Sequence, residues 1–156
     1  MKENVKRALL SLKETSDIFN ELTDQEIDMI SPFFEQKRYS AESFLFREGE
    51  PSTFMGFIAS GTFEIIKQTE LQANPIILGR LSTGSFIGET TLLEGPQKRA
   101  VSVSAVEDAD VLILKKSDLD HITQEYSVIG VKLLKELARI LTIRLLKAVE
   151  KISRAY

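Results

Sequence analysis

Gly84-Ser-Phe-Ile-Gly88-Glu-Thr-Thr-Leu-Leu-Glu-Gly95-Pro-Gln-Lys-Arg99-Ala-Val-Ser-Val103 is the stretch on which the fold turns. It opens at a strand end, passes Gly88-Glu89 and runs through an apolar stretch long enough for one or two helical turns. It then bends at Gly95-Pro96 and carries Arg99 into a strand. Such a layout can surround a phosphate. A helix N-terminus presents unpaired backbone N–H groups, and a glycine at its head lets the main chain come close to a ligand. An arginine completes the cage, because its guanidinium meets two phosphate oxygens at once and keeps its charge at physiological pH. Glu89 is the odd member, since a carboxylate beside a phosphate repels it unless the carboxylate faces a donor. It accepts hydrogen bonds only, so a ribose 2′-OH is its natural partner, and the pairing selects ribose over deoxyribose.

Around this segment, from Ser43 to Lys115, short apolar runs recur between turn residues in the pattern of closely spaced strands. Phe44–Phe46, Phe54–Ile58, Thr62–Lys67, Ile76–Leu81, Val101–Val106 and Val111–Leu114 are the predicted strands. Gly49-Glu-Pro51, Ser60-Gly61, Thr83-Gly84 and Glu107-Asp-Ala-Asp110 punctuate them, and the polar run Gln68–Asn74 reads as an exposed hairpin loop. Strands this short, with no long helix between them, predict an antiparallel roll or barrel.

The two ends read as helix. Met1–Lys13 carries Val5, Leu9, Leu10 and Leu12 at helical spacing, and Thr23-Asp-Gln-Glu26 is a capping box that opens a helix through Ile27, Ile30 and Phe33, with Pro32 forcing a bend or stop. Ser117 reads as the cap of a short helix, and Ser127 begins a long one to about Ser153. In that helix Leu134, Ala138, Leu141, Leu145, Ala148 and Ile152 form a seam spaced 4, 3, 4, 3, 4, while Leu133, Leu137 and Ile140 widen the apolar arc. One flank is expected to pack on the roll and the seam on another helix, most simply its own copy in a homodimer. The alternative is a helix wholly buried on its own domain. The fold class is therefore α+β, mainly β: a jelly-roll-like antiparallel β-roll over 37–116, containing the phosphate segment 84–103, with N-terminal helices over 1–36 and C-terminal helices over 117–156, all in one domain of 156 residues.

Composition narrows the function. With no cysteine and a single histidine, His121, thiolate and imidazole metal chemistry has nothing to work with, and no activated nucleophile stands out, so no cofactor and no enzyme activity are expected. The net charge of -3 argues against a nucleic-acid partner, and the basic stripe Lys132, Lys135, Arg139, Lys147 and Lys151 is broken by Glu136 and Glu150, as on a solvated helix face. Neither a signal peptide nor a bilayer-length apolar run is present, which places the chain in the cytoplasm with no membrane partner.

The order Phe-x-Gly-Glu, apolar pair, Gly-Pro, Arg-Ala-x-Ser resembles the phosphate-binding cassette of the cyclic nucleotide-binding domain family. Phe46-Arg-Glu-Gly49-Glu50 is similar to that family's early turn, Phe57-Ile58 with Gly61 to its strand and hairpin glycine, and Leu78–Gly84 to the strand leading into the cassette. The resemblance extends from about Asp17 to the chain end. It implies an eight-stranded roll with helices, and a sensor for a cyclic mononucleotide that signals through its last helix to a downstream protein. By matched position it implies Arg99 on the phosphate, Glu89 on the ribose hydroxyl, and backbone or small-group contacts from Gly88, Thr90, Thr91, Ala100 and Val101. Ala100 favours cyclic AMP, with cyclic GMP the alternative, because relatives preferring cyclic GMP tend to carry a hydroxyl there. Three departures stand out: Thr91 where Ala or Gly is usual, Gly56 where an aromatic is common, thinning one wall, and Lys98 before Arg99. A different reading keeps the fold and drops the ligand, with Glu89 pairing to Arg99 and the domain serving as an interaction or dimerisation module. Bacterial relatives join such a domain to a helix-turn-helix; a sequence that ends at Tyr156 is not expected to carry that output unless it is a fragment of a longer chain.

Overall fold

A computed structural model describes residues 2–156; Met1, where the first predicted helix begins, lies outside them. Helix α1 spans Lys2–Thr15 and buries Val5, Leu9 and Leu12, the apolar face its spacing predicts. The box at Thr23 closes as read: the Glu26 amide donates to Thr23 Oγ1 and the Thr23 amide to Glu26 Oε1, each at 3.1 Å. It starts α2, Asp24–Ile30, and Pro32 then sits in a 3₁₀ turn over Ser31–Phe33 that swings the chain into the sheet.

Eight strands follow: β1 Phe34–Tyr39, β2 Phe44–Phe46, β3 Phe54–Ser60, β4 Thr62–Lys67, β5 Ile76–Ser82, β6 Phe86–Ile87, β7 Ser102–Ala105 and β8 Ala109–Lys115. They form two antiparallel four-stranded sheets, ordered β1-β8-β3-β6 and β2-β7-β4-β5. The roll thus begins at Phe34 rather than 37. Phe-Glu-Gln-Lys-Arg-Tyr has no alternating apolar signal, and only full-length pairing with β8, from Phe34 opposite Leu114 to Tyr39 opposite Ala109, makes it a strand.

The first sheet separates two cores. Its inner face, with Ile58, Val111 and Ile113, meets Phe63, Val103 and Ala105 of the second sheet. Its outer face, with Met55, Phe57, Leu112 and Leu114, meets the helices through Leu9, Ile30, Leu133 and Leu137, and the turn between α1 and α2 through Phe19. Each such side chain removed from water favours folding by about 1.5–3 kcal/mol. Gly56 does not thin the wall: a Cβ there would stand 3.0 Å from Val111 Cγ1 and 3.4 Å from Leu45 Cδ2, so neighbouring side chains already fill the space.

Helix α3 runs from Lys116 to Glu125 and α4 from Ser127 to Arg154. Ser117 is not the cap, because the chain turns helical one residue earlier and Lys115 takes the N-cap position without a side-chain bond. Gly130 lets α4 press on α3, as a Cβ there would lie 2.9 Å from Thr123 Cα. Ile129, Leu133 and Leu137 of α4 are buried on the domain, whereas Leu134, Leu145 and Ile152 of the seam are 39%, 64% and 61% exposed. The helix is therefore not wholly buried on its own domain. Among the described residues no helix is long and apolar enough to cross a membrane.

Candidate functional site

Gly88 has a φ of 91° and caps a 3₁₀ turn over Glu89–Leu92. No side chain fits at this position. A Cβ would stand 2.7 Å from Arg99 Nη1 and 2.9 Å from the Phe54 carbonyl oxygen, and the left-handed backbone itself favours glycine. The turn closes when the Thr91 amide donates to the Gly88 carbonyl at 3.1 Å. The amides of Glu89 and Thr90, ahead of that bond, head the turn with no acceptor among the described residues.

Arg99 is placed by the early glycine turn. Its amide donates to the Glu50 carbonyl and its carbonyl accepts from the Gly49 amide, both at 2.8 Å, so the motif from Phe46 to Glu50 holds the arginine's main chain. The side chain then runs inward and is only 2% exposed. Its Cζ lies 3.9 Å from the Phe46 ring centre and 4.7 Å from that of Phe54, and Nη2 donates to the Phe54 carbonyl at 2.7 Å. Nε and Nη1 are buried with no acceptor. Among the described residues no carboxylate lies within ion-pairing distance of Arg99; in particular Glu89 is exposed and does not close on it. Burial pushes the guanidinium down to about 10, with the more distant Glu89 and Glu50 pulling the other way. A buried cation with two unanswered donor nitrogens is an arrangement that an incoming anion would complete.

These groups border a cavity of about 200 Å³ lined by Gly88, Glu89, Thr90, Arg99, Ala100 and Val101, with Phe46, Ile65 and Leu81 on its apolar side. Six of the seven residues singled out from sequence thus meet at one place. Thr91 does not: it is 1% exposed behind the turn, where its hydroxyl donates to the Phe54 carbonyl at 2.8 Å and meets Ser52 Oγ at 3.1 Å. Ala100 is held through its carbonyl by Lys67 Nζ at 2.9 Å, and Lys67 also pairs with Glu48. Lys98 lies outside, its main chain bridged to Pro51.

The sequence reading missed Arg144. It comes from α4, stacks its Cζ 4.2 Å over the Phe86 ring and donates Nη2 to the Phe86 carbonyl at 2.9 Å. Burial lowers its pKa, with Glu89 opposing the shift. Arg144 and Glu89 line both the small cavity and a cleft of about 1020 Å³ between β5 and the second half of α4. The signal lay in the spacing: Leu133, Leu137, Ile140 and Arg144 continue the 4, 3, 4 register of the flank that faces the domain, and an arginine on that flank is out of place unless it serves a site. Among the described residues no cluster of His, Asp and Glu could hold a metal ion.

A family model described as the cyclic nucleotide-binding domain matches residues 36–126. A cyclic AMP receptor protein of Thermus thermophilus is 28% identical over 124 residues, covering 80% of this chain and 56% of the relative. A cGMP-dependent protein kinase of Caenorhabditis elegans is 24% identical over 125 residues, covering 76% of this chain and 16% of the kinase. The crystal structure of a cyclic nucleotide-binding domain from Methylobacillus flagellatus superposes with a TM-score of 0.85 at 19% identity, covering 99% of this chain and 85% of that one. The chain spans between 16% and 56% of the length of the curated relatives it matches.

Proposed function

The chain belongs to the cyclic nucleotide-binding domain family, and from that membership we propose that it is a non-catalytic cytoplasmic sensor whose ligand is cyclic AMP. The single observation that carries the reading is the buried Arg99 guanidinium, whose Nε and Nη1 find no acceptor and which finds no carboxylate partner among the described residues. The cyclic phosphate supplies the missing acceptors, joined on its other side by the amides of Glu89 and Thr90. Glu89, exposed at the mouth of the cavity, takes the ribose 2′-OH. The small cavity suits the sugar phosphate, and the base extends along Ala100 and Val101 toward Arg144 and the cleft under α4. The relatives include a cyclic AMP receptor and a cGMP-dependent kinase, so Ala100, which offers no hydroxyl, carries the choice of cyclic AMP.

Signalling requires that the nucleotide bind one arrangement of turn and last helix better than another. Arg144 is the group on α4 best placed to sense it, because its guanidinium shares both openings with Glu89. The exposed seam of Leu134, Leu145 and Ile152 then passes the movement to a second copy of the chain in a homodimer, or to a downstream protein.

Isothermal titration calorimetry with cyclic AMP and cyclic GMP tests the reading. Saturable one-to-one binding of cyclic AMP, tighter than that of cyclic GMP, is expected, together with a rise in melting temperature from native-state binding. Absence of heat and of any thermal shift at millimolar concentrations of both would leave the ligand-free module in its place.

A further inference from the structure

Behind the phosphate-facing turn lies a row of hydroxyls that the sequence reading did not connect. Ser52, 6% exposed in the loop before β3, places its Oγ 2.8 Å from Thr90 Oγ1 and 3.1 Å from Thr91 Oγ1. Thr91 Oγ1 lies 2.8 Å from the Phe54 carbonyl, which also accepts from Arg99 Nη2. Counting protons gives the row a direction. A carbonyl only accepts, so the single Thr91 proton goes to Phe54; the Ser52 proton must then go to Thr91, and the Thr90 proton to Ser52. The chain runs Thr90 to Ser52 to Thr91 to the Phe54 carbonyl, where it meets the arginine.

We propose that Ser52 is a positioning residue for the phosphate site, locking the Glu89–Leu92 turn and the Arg99 guanidinium into one mutual geometry through this directed hydroxyl chain. The proposal rests on the phosphate-binding reading of the same cavity and names the residue that pre-organises it. Two consequences follow from the proton count. Thr90 spends its proton inward, so the phosphate is met by main-chain amides rather than by that hydroxyl. Thr91, in a position where the family commonly has Ala or Gly, does not crowd the cavity, because Ser52 and the Phe54 carbonyl draw it to the rear of the turn. Both lone pairs of that carbonyl are occupied, one by the turn and one by the arginine, so loosening Thr91 frees Arg99 to swing.

The test compares wild type, Ser52→Ala, Ser52→Thr, Thr91→Val and the Ser52→Ala/Thr91→Val double variant. Calorimetry would use cyclic AMP and, as a probe lacking the phosphate, adenosine. Ser52→Ala should weaken cyclic AMP binding about tenfold, the effect of losing buried hydrogen bonds at a binding site, and leave adenosine binding unchanged. Ser52→Thr, which keeps the hydroxyl, should restore affinity, and the double variant should lose no more than the worse single one, because both interrupt one chain. In the unliganded protein the Arg99 Nε–H resonance should shift and broaden in Ser52→Ala. Unchanged cyclic AMP affinity in a folded Ser52→Ala protein, or equal losses for cyclic AMP and adenosine, overturns the positioning role while leaving the sensor reading intact. Wild-type protein that binds no cyclic nucleotide overturns the sensor reading itself, and an Arg99 resonance indifferent to Ser52→Ala would then sink the positioning role as well.

Discussion

Replacing Arg99 by methionine, a side chain of similar length without charge, separates a ligand-binding arginine from a structural one. The fall of its pKa from the ordinary arginine value to about 10 corresponds to about 3 kcal/mol by which burial disfavours the cation. Opposing this are the two aromatic faces, together about 1–2 kcal/mol, and one charged hydrogen bond to the Phe54 carbonyl, about 1.5–3 kcal/mol. The two sides nearly cancel, so Arg99→Met should alter unliganded stability by no more than about 1 kcal/mol, or about 3 °C in a chain of this size. Binding should suffer far more. A buried charge partner is worth about 2–5 kcal/mol, which is about 30- to 4,000-fold in affinity. At ligand a hundredfold above its dissociation constant the wild type should gain about 2.7 kcal/mol, seen by scanning fluorimetry as a rise of several degrees, and the variant no more than about 0.9 kcal/mol at that concentration. The pH dependence has a definite sign: the folded arginine stays protonated up to about 10, and an anion favours its charged form. Affinity should therefore be flat from about pH 6 to 9 and fall as pH rises through 10. A variant that unfolds when unliganded yet retains its ligand-induced shift would refute the reasoning, since Arg99 would then be holding the fold and not the phosphate.

Three further outcomes are expected. Gly88→Ala meets both a left-handed backbone and contacts of 2.7 and 2.9 Å; it should cost about 1–2 kcal/mol in thermal denaturation and, by displacing Arg99, abolish cyclic AMP binding in calorimetry. Glu26 serves twice, closing the Thr23 box and accepting from Lys132 of α4 at 2.6 Å, and Lys132 with the Thr23 amide holds its carboxyl below the usual carboxylate range. Its contribution should be present above about pH 4.5 and vanish as pH falls through the lowered value. Glu26→Ala should cost about 1 kcal/mol in chemical denaturation at neutral pH, and less at pH 3. Leu145→Asp, on the 64% exposed seam, should leave melting of the individual domain unchanged while converting a dimer to a monomer in light scattering; a wild-type monomer would remove the dimer from the proposal.

The turn over Glu89–Leu92 was legible in the sequence because its backbone demands are local. Gly88 must take a positive φ, the amides that follow must head a turn, and Arg99 follows at a spacing set by the Gly95-Pro96 bend. Strand β1 was not legible, since Phe34–Tyr39 owes its conformation to hydrogen bonds with residues about 70 to 80 positions later in the chain. Ser52 was invisible for a related reason: a serine in a loop looks like a turn residue until the fold sets it beside Thr90 and Thr91, 38 and 39 positions away. The basic stripe was only partly a solvated face, as Lys132 and Arg139 turn out to have carboxylate partners in Glu26, Asp17 and Glu136. Spacing identifies a helix face, and only the packed neighbours say which charges on it are answered.

Helix α4 is also a cantilever. Its deep burial ends at Leu137, and Arg144 on Phe86 is the last tie before the tip at Arg154. With that tie in place about 15 Å of rod overhangs; with it released the overhang grows to about 20 Å, back to Ile140 and Leu141 where the helix still packs on the core. A tilt of about 10° at the root would then sweep the helix tip through about 3.5 Å, so one guanidinium resting on one phenyl ring sets the mechanical gain of the arm.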